Sequence, residues 1–252
     1  MLRTVEVNST VSRIVSLVPS QTELLADLGL RKKLVGITKF CIHPSELRRE
    51  VQLVGGTKNV RIDLIRSLKP DLIIGNREEN NQADIEVLEK EFPVWMSDIF
   101  NLEDALEMLT EIGKITGAEA KAGELKTAIT NNFEQLHDLK LTGKSVLYLI
   151  WKNPYIAAGK HTFIDAMLQT LGFENAVKEK RYPEAALATL APDFVFLSSE
   201  PYPFKEKDTE ELQQQFPASK IVLVNGEYFS WYGSRLLGAP AYFLKLSDVI
   251  AK

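Results

Sequence analysis

The stretch SLKPDLIIGN, residues 67–76, joins a segment of helical character to an apolar run through Pro70 and Asp71. Proline biases the residue before it away from the helical conformation, and Asp favours a chain reversal. The pair therefore predicts the end of a helix followed by a buried strand. TLAPDFVFLS, residues 189–198, repeats the leucine, the Pro-Asp pair and the four apolar residues. The two stretches predict equivalent joints in two halves of the chain.

The rest of the chain follows the same alternation of short aliphatic runs and longer segments of helical period. In the first half the runs are RIVSL (from Arg13), LVGIT, DLIIG and VWMS; in the second half they are VLYLIW (from Val146), YIAAG, FVFLS and IVLVN. This alternation predicts an α/β fold. LLADLGL and MLQTLGF form a second echo in the same order, which favours duplicated lobes, although helix-to-strand joints in general can look alike.

The first and middle helices carry recognisable end signals. Ser20 lies three residues before Glu23, which predicts a capping box, and Gly29 predicts the end of that helix. Between the halves, apolar residues keep helical spacing over two consecutive helices with a break at Gly117. The second of these, from about Ala118 to Leu139, is long enough to join two lobes. We expect a first lobe over 1–116, a connector helix over 117–140 and a second lobe over 141–252.

Composition excludes several classes of function. The formal net charge is -4 and no long basic run occurs, so nucleic acid is not an expected partner. No apolar run approaches the roughly 20 residues of a membrane span. Cys41 is the single cysteine, which excludes an internal disulfide framework. The N-terminal stretch MLRTVEVNSTVSRIVSLVPS has no lipid-anchor cysteine and no uninterrupted apolar segment, so the chain as written is expected to stay in the cytoplasm.

The segments that follow the predicted strands are rich in aromatic, amide and charged side chains. They are TKFCIHP, GNREENN, WKNPY, SSEPYPF and NGEYFSWYGSR. In open α/β sheets ligands bind outside the carboxyl ends of the strands. These loops are therefore the predicted ligand site.

Enzymatic motifs are not recognisable in the sequence, and no catalytic residue is expected. No P-loop, G-x-G-x-x-G, G-x-S-x-G or H-E-x-x-H pattern is complete. Glu78 and Glu79 are the best paired carboxylates, but a solvated loop tip beside Arg77 explains them as well. Cys41 and His43 could supply two metal ligands, yet a buried thiol beside a loop histidine is favoured. No metal site is expected.

RIVSLVPSQTELLADLGL, GGTKNVRIDLIRSLKPDLIIGN and YFSWYGSR resemble the substrate-binding proteins of ABC importers for cobalamin and ferric siderophores, the group with a helical backbone. The chain is most similar to the cobalamin-binding branch. The resemblance implies two Rossmann-like lobes with central sheets, joined by a single long helix, with the ligand in a cleft between them. It further implies non-enzymatic binding of a corrinoid or related metal chelate between aromatic rings. We expect no intrinsic cofactor and a monomer.

The resemblance also carries over to individual positions in the loops. Those matching ligand-facing loops are Phe40, Asn76, Trp151, Tyr202, Glu227, Phe229 and Trp231, with Arg77 beside them and Arg235 as a partner for ligand amides or carboxylates. Phe229 could share the ligand side with Trp231 if that loop stays extended. The alternative for both rings is that they fill the core of their own lobe.

Docking on an ABC permease would use one carboxylate per lobe in the family that the chain resembles. Asp63 matches the first position, and Glu184 is an approximate match for the second in a segment shorter than the family pattern. Family members are periplasmic or surface-anchored, in contrast to the location expected from the N-terminal stretch. The rival hypothesis is a cytoplasmic sensor or enzyme on the same scaffold, acting on a smaller ligand through Arg77, Glu78 and the Cys41–His43 loop.

Overall fold

The computed structural model describes residues 10–137, 139, 141 and 143–250. These residues form two compact units. The first unit comprises the chain up to Ile99, Glu103–Ala128 and Tyr232–Arg235; the second comprises Phe100–Leu102, Ile129–Trp231 and the chain from Leu236 onward. Residues 1–9 of the N-terminal stretch, in which no secretory signal was recognised, lie outside the described residues.

The first unit contains a five-stranded parallel sheet. Its strands are β1 (Ile14–Ser16), β2 (Leu34–Ile37), β3 (Gln52–Leu53), β4 (Leu72–Asn76) and β5 (Val94–Ser97), in the order β3-β2-β1-β4-β5. The helices along this part of the chain are α1 (Pro19–Leu25), α2 (Leu47–Glu50), α3 (Ile62–Leu68), α4 (Gln82–Leu88) and α5 (Leu102–Thr116). A π-helical turn, Ala26–Leu30, and a 3-10 turn, Arg31–Lys33, extend α1.

The second unit contains a sheet built around one long strand. Its strands are β6 (Lys144–Trp151), β7 (Ile156–Ala157), β8 (Phe173–Asn175), β9 (Phe194–Ser198) and β10 (Lys220–Val224), in the order β10-β9-β6-β7 with β8 also pairing β6. Only β7 is antiparallel among these described pairings. The later helices are α6 (Glu119–Glu134), α7 (Phe163–Thr170), α8 (Glu206–Gln215), α9 (Glu227–Ser230) and α10 (Ala239–Ile250), with 3-10 turns at Leu187–Thr189 and Ser234–Leu237. The predicted two-lobed α/β fold is confirmed.

The two Pro-Asp joints are equivalent at the level of atoms. Asp71 Oδ2 accepts hydrogen bonds from the backbone N–H and the hydroxyl of Ser12, at 2.9 and 2.7 Å. Asp193 Oδ2 accepts the same pair from Ser145, at 2.8 and 2.9 Å. In each unit the Asp therefore ties the start of its own strand to the start of the neighbouring central strand. The echo in the sequence reflects a repeated structural device.

The helix-end predictions met different outcomes. Gly29 has φ 84° and Gly117 has φ 73°, so both glycines take the left-handed conformation that ends a helix, and Gly117 separates α5 from α6. The prediction of a capping box at Ser20 was wrong. The helix begins at Pro19, whose fixed φ suits a first helical position, and Val18 is the N-cap without a side-chain bond. Helix α6 contributes residues to both units, with the division between Ala128 and Ile129.

Candidate functional site

The order of strands in the first unit places a switch point at the carboxyl ends of β1 and β4. From β1 the chain continues to β2 towards one edge of the sheet, and from β4 it continues to β5 towards the other edge. Ligands of open α/β sheets bind at such switch points. The amide of Asn80 bridges the two strand ends, because Nδ2 donates to Leu17 O at 3.2 Å while Oδ1 accepts from Asn76 N at 2.8 Å. The loop after β4 is thus held in place over the switch point.

A buried polar network lies directly beneath that loop. Asn76 Nδ2 donates to Ser97 Oγ at 3.0 Å, and Gln21 Nε2 donates to the same oxygen at 2.6 Å. Asn76 Oδ1 accepts the backbone N–H groups of Glu78 and Glu79, at 2.8 and 3.1 Å. Asn76 is 1% exposed. We therefore correct the prediction that Asn76 faces a ligand. Its side-chain amide is hydrogen-bonded to Ser97 and to the backbone of the loop that follows β4.

The loop after β2 turns on the buried thiol of Cys41. Cys41 Sγ lies 3.0 Å from Thr22 Oγ1 and 3.2 Å from Thr38 Oγ1, and burial raises the pKa of the thiol. The side chains on either side of it point outward, with Phe40 50% and Ile42 41% exposed. Lys39 Nζ lies 5.0 Å from the centre of the Phe40 ring. Phe40 is thus accessible to a ligand, as the prediction for this residue requires.

Arg77, another predicted residue of this unit, is exposed. Its guanidinium lies 3.4 Å from the carboxylate of Asp98. At that distance and exposure the pair is weak. Arg77 can therefore exchange this contact for a ligand group at small cost.

The second unit has its switch point between β6 and β9, and two predicted aromatic residues meet there. Trp151 is the last residue of β6, and Tyr202 follows β9; their ring centroids are 5.8 Å apart at 69°. Tyr202 N donates to Ile150 O at 3.3 Å, and the Tyr202 ring packs on Phe204 at 4.8 Å. Trp151 remains 43% exposed. These two rings form an accessible aromatic surface at the carboxyl edge of the sheet.

A charged cluster anchors the loop beside Trp151. Lys152 Nζ contacts Asp208 Oδ1 at 2.8 Å and Glu211 Oε2 at 2.5 Å, both on α8. Tyr155 OH donates to Glu211 Oε1 at 2.9 Å. Burial raises the pKa of Asp208, but the hydrogen bonds from Lys152 and from the N–H of Lys205 outweigh it and lower the pKa overall. The WKNPY loop is therefore fixed to α8 and keeps Trp151 in position.

Glu227 lies at the start of α9, on a groove beside the edge strand β10. The groove has a volume of about 510 Å³ and is lined by Leu197, Ser199, Phe204, Leu223, Val224, Asn225 and Glu227. Glu227 N donates to Asn225 Oδ1 at 3.1 Å. Glu227 is partly exposed. The prediction that it contacts a ligand stays a prediction.

Phe229 is a core residue. Its ring is fully buried and packs on Tyr148 at 5.2 Å, Phe196 at 6.1 Å and Phe243 at 4.9 Å between centroids. A side chain enclosed by its own unit has no face to offer a ligand. We therefore correct the prediction for Phe229 in favour of the core alternative.

Trp231 occupies the C-cap of α9 and is 6% exposed. Its indole Nε1–H donates to both carboxylate oxygens of Glu200, each at 3.1 Å. The hydroxyl of Ser230 donates to Oε1 of the same carboxylate. The role of Trp231 towards a ligand stays a prediction.

Arg235 is engaged within the first unit. Its Nε donates to Glu23 Oε2 at 3.0 Å and its Nη2 donates to Glu23 Oε1, a bidentate pair with little exposure. Burial raises the pKa of Glu23 even though Arg235 opposes that shift. Arg235 holds Glu23 in this structure, and its role as a partner of ligand groups stays a prediction. Tyr232, three residues earlier, donates its hydroxyl to Glu79 Oε1 at 2.7 Å.

The two predicted docking carboxylates are accessible. The Asp63 side chain is 97% exposed in the first turn of α3, 2.9 Å from Arg66. Glu184 is exposed and forms an isolated β-bridge with Ile156. Within the described residues no group of three or more His, Cys, Asp or Glu side chains could hold a metal ion. None of the described helices combines the length and the apolar character that a membrane span requires.

Sequence reasoning missed the side chains that support the site. Gln21 and Ser97 build the polar network, and Lys152 and Glu200 anchor the aromatic residues. Lys152 and Glu200 lie in post-strand loops that the sequence had singled out. Their partners, however, are 56 and 31 positions away, so spacing along the chain could not reveal them.

Comparison with known proteins agrees with this architecture. A family model described as periplasmic binding protein matches residues 14–222. The chain is 28% identical over 206 residues to an uncharacterized ABC transporter substrate-binding lipoprotein of Bacillus subtilis, covering 76% of this chain and 65% of the relative. The match thus spans less than two thirds of that relative's length.

Two solved structures share the fold across nearly the whole chain. The periplasmic vitamin B12 binding protein BtuF of Vibrio cholerae superposes with a TM-score of 0.81 at 19% identity, covering 96% of this chain and 99% of that one. A periplasmic heme binding protein from Pseudomonas aeruginosa gives a TM-score of 0.81 at 21% identity, covering 95% and 92%. The chain belongs to the periplasmic binding protein family, whose model matches most of its length.

Proposed function

We propose that this protein binds a corrinoid or a related metal chelate, without covalent chemistry, as the substrate-binding component of an ABC importer. The observation that carries the proposal is the accessible pair Trp151 and Tyr202 at the switch point of the second sheet. In the first unit Phe40 is exposed in the loop after β2. Each unit therefore offers at least one aromatic ring at the carboxyl edge of its sheet.

Such rings suit a ligand that is broad, rigid and partly apolar. Aromatic side chains bury large areas and lose little rotamer freedom, so stacking on a macrocycle gains contact area at small entropic cost. A few polar groups are enough to fix orientation, and Arg77 and Glu227 are the accessible candidates. The ligand would then be released unchanged to a transporter.

The fold does not distinguish among the candidate chelates. The vitamin B12 binding protein and the heme binding protein match this chain with equal TM-scores of 0.81. Corrinoids are our first candidate because vitamin B12-binding proteins are among the relatives of this sequence. Haem and ferric siderophores are the competing ligands.

The rival hypothesis of an enzyme receives no support from the environment of Cys41. A reactive cysteine needs a lowered pKa and access to solvent, whereas Cys41 is fully buried and burial raises its pKa. Glu79 accepts a hydrogen bond from Tyr232 at 2.7 Å, which accounts for one of the paired carboxylates. We favour binding over catalysis.

Absorbance-monitored titration with cyanocobalamin, cobinamide, haem and a panel of ferric siderophores tests the proposal. We expect one of these classes to bind with a dissociation constant of about 1 µM or lower, which corresponds to roughly -8 kcal/mol. The proposal fails if none binds at that level. Trp151→Ala should weaken the bound chelate, and Val249→Ala, which truncates an exposed side chain on α10, should not.

A further inference from the structure

The post-strand loop of β9 and the end of α9 are joined by one carboxylate. Glu200 lies two residues beyond β9. Each of its carboxylate oxygens accepts a hydrogen bond from Trp231 Nε1–H at 3.1 Å, and Oε1 also accepts one from the hydroxyl of Ser230. All three residues belong to the second unit. We infer that Glu200 is a positioning residue that fixes the orientation of the Trp231 indole for ligand contact. This inference rests on the proposed function for its ligand-binding consequence.

The backbone around Glu200 is shaped to admit this contact. A Cβ at Gly226 would lie 2.2 Å from Ser198 Oγ and 2.8 Å from Glu200 Cγ, so a side chain there would displace the carboxylate. Gly226 N donates to Ser199 Oγ at 2.9 Å, and Glu200 N donates to Ser198 Oγ at 3.3 Å. The absence of a side chain at 226 leaves the space through which Glu200 reaches α9.

The hydrogen bond to Glu200 determines which atoms of Trp231 can contact a ligand. The indole ring has one hydrogen-bond donor, Nε1–H, and Glu200 takes it with both oxygens. A hydrogen bond to an ionised acceptor is stronger than one to a neutral group. The ring is therefore held against rotation, and its contact with a ligand is made through carbon atoms. Trp231 acts as an apolar contact and does not donate to the ligand.

An experiment on the ligand-free protein tests the positioning directly. The three indole N–H signals of ¹⁵N-labelled protein are recorded by NMR, and Trp231→Phe identifies the signal of Trp231. We expect Glu200→Ala to move that signal upfield and to speed its exchange with deuterium on the order of tenfold. Glu200→Gln, which keeps a neutral acceptor, should have an intermediate effect.

The control is Glu210→Gln, which removes the same charge from an exposed position on α8. It should leave all three indole signals in place. The inference is overturned if the Trp231 signal keeps its position and exchange rate in Glu200→Ala, or if Glu210→Gln changes them as much.

A double-mutant cycle then measures the consequence for binding, with the chelate that binds best in the titration panel. We expect Glu200→Ala to weaken affinity by roughly threefold to tenfold in the wild-type background and to have no further effect in the Trp231→Phe background. Equal losses in both backgrounds would show that Glu200 acts on ligand without Trp231, against the inference. If no chelate binds the wild-type protein, the proposed function fails while the indole signals still decide the positioning.

Discussion

Tyr202 presents its ring edge-on to the indole of Trp151, with the two centroids 5.8 Å apart. The contact joins the end of β6 to the loop after β9, two strands that are neighbours in the second sheet. Because both strands lead away from the same switch point, the pair lies where the fold leaves room for a ligand.

Replacing Trp151 by Ala should weaken chelate binding by about 1–3 kcal/mol, taking base–aromatic stacking as the reference. The apo protein should lose less, about 0.5–1.5 kcal/mol from the contact with Tyr202. Titration and thermal unfolding measure the two effects. A large drop in melting temperature with unchanged affinity per folded molecule would contradict the assignment.

Replacing Phe229 by Ala should have the opposite effect. Loss of a fully buried aromatic ring typically costs about 3–5 kcal/mol of folding stability, and Phe229 packs against Tyr148, Phe196 and Phe243. Affinity per folded molecule should hold. Denaturant unfolding checks the first expectation and titration the second; a variant as stable as wild type but weakened in binding would restore Phe229 to the ligand site.

Lys152→Met should destabilise the second unit, because it leaves the buried carboxylate of Asp208 without its ammonium partner. Breaking such a pair from one side costs about 3–5 kcal/mol. Adding Asp208→Asn should recover part of the loss, since the uncompensated charge is gone. Lys207→Met, on the exposed side of α8, serves as the control in urea unfolding.

Protonation of Asp71 and Asp193, the aspartates of the two Pro-Asp joints, should lower the free energy of unfolding in acid. The hydrogen bonds from Ser145 and Lys144 lower the pKa of Asp193 to about 2, and those from Ser12 lower the pKa of Asp71. A carboxyl whose folded pKa lies below its unfolded value, about 3.9 for Asp, contributes stability above that value and loses it as pH falls through the folded pKa. Unfolding measured between about pH 5 and pH 2 should show a shallower acid loss in Asp193→Asn than in wild type.

Asp63→Ala and Glu184→Ala should reduce chelate uptake and leave chelate affinity unchanged, if these exposed carboxylates meet arginines of a permease. Uptake is measured in cells that carry the variant in place of the native gene, and affinity by titration of the purified protein. Glu210→Ala removes an exposed carboxylate elsewhere and is the control. Normal uptake by the double variant would exclude docking through this pair.

Strands with long apolar runs could be predicted from the sequence, and short polar ones could not. β4, β6, β9 and β10 follow runs of four or more apolar residues, whereas β3 is Gln52–Leu53 and β8 is Phe173–Asn175. The latter two exist because a neighbouring strand offers them a partner, as Val146 does for Asn175. Propensity over two or three residues is too weak to reveal such a pairing.

The same limit applies to the site. The loops at the carboxyl ends of the strands follow from the α/β pattern, and Phe40, Trp151 and Tyr202 were recognised within them. Asn76 and Arg235 were assigned to ligand, but their side chains are held by Ser97 and Glu23. A polar side chain in a loop carries no local sign of whether a distant residue will bind it.

The sequence by itself determined the two-lobed α/β architecture, because the period of apolar residues and the Pro-Asp joints act locally. Only the tertiary structure decided which side each ring takes in EYFSW. Phe229 and Trp231 would share a side in an extended chain, where alternate residues point the same way. Instead Glu227–Ser230 forms a helical turn, and residues two apart on a helix lie roughly 200° apart, so Phe229 enters the core while Trp231 is held by Glu200.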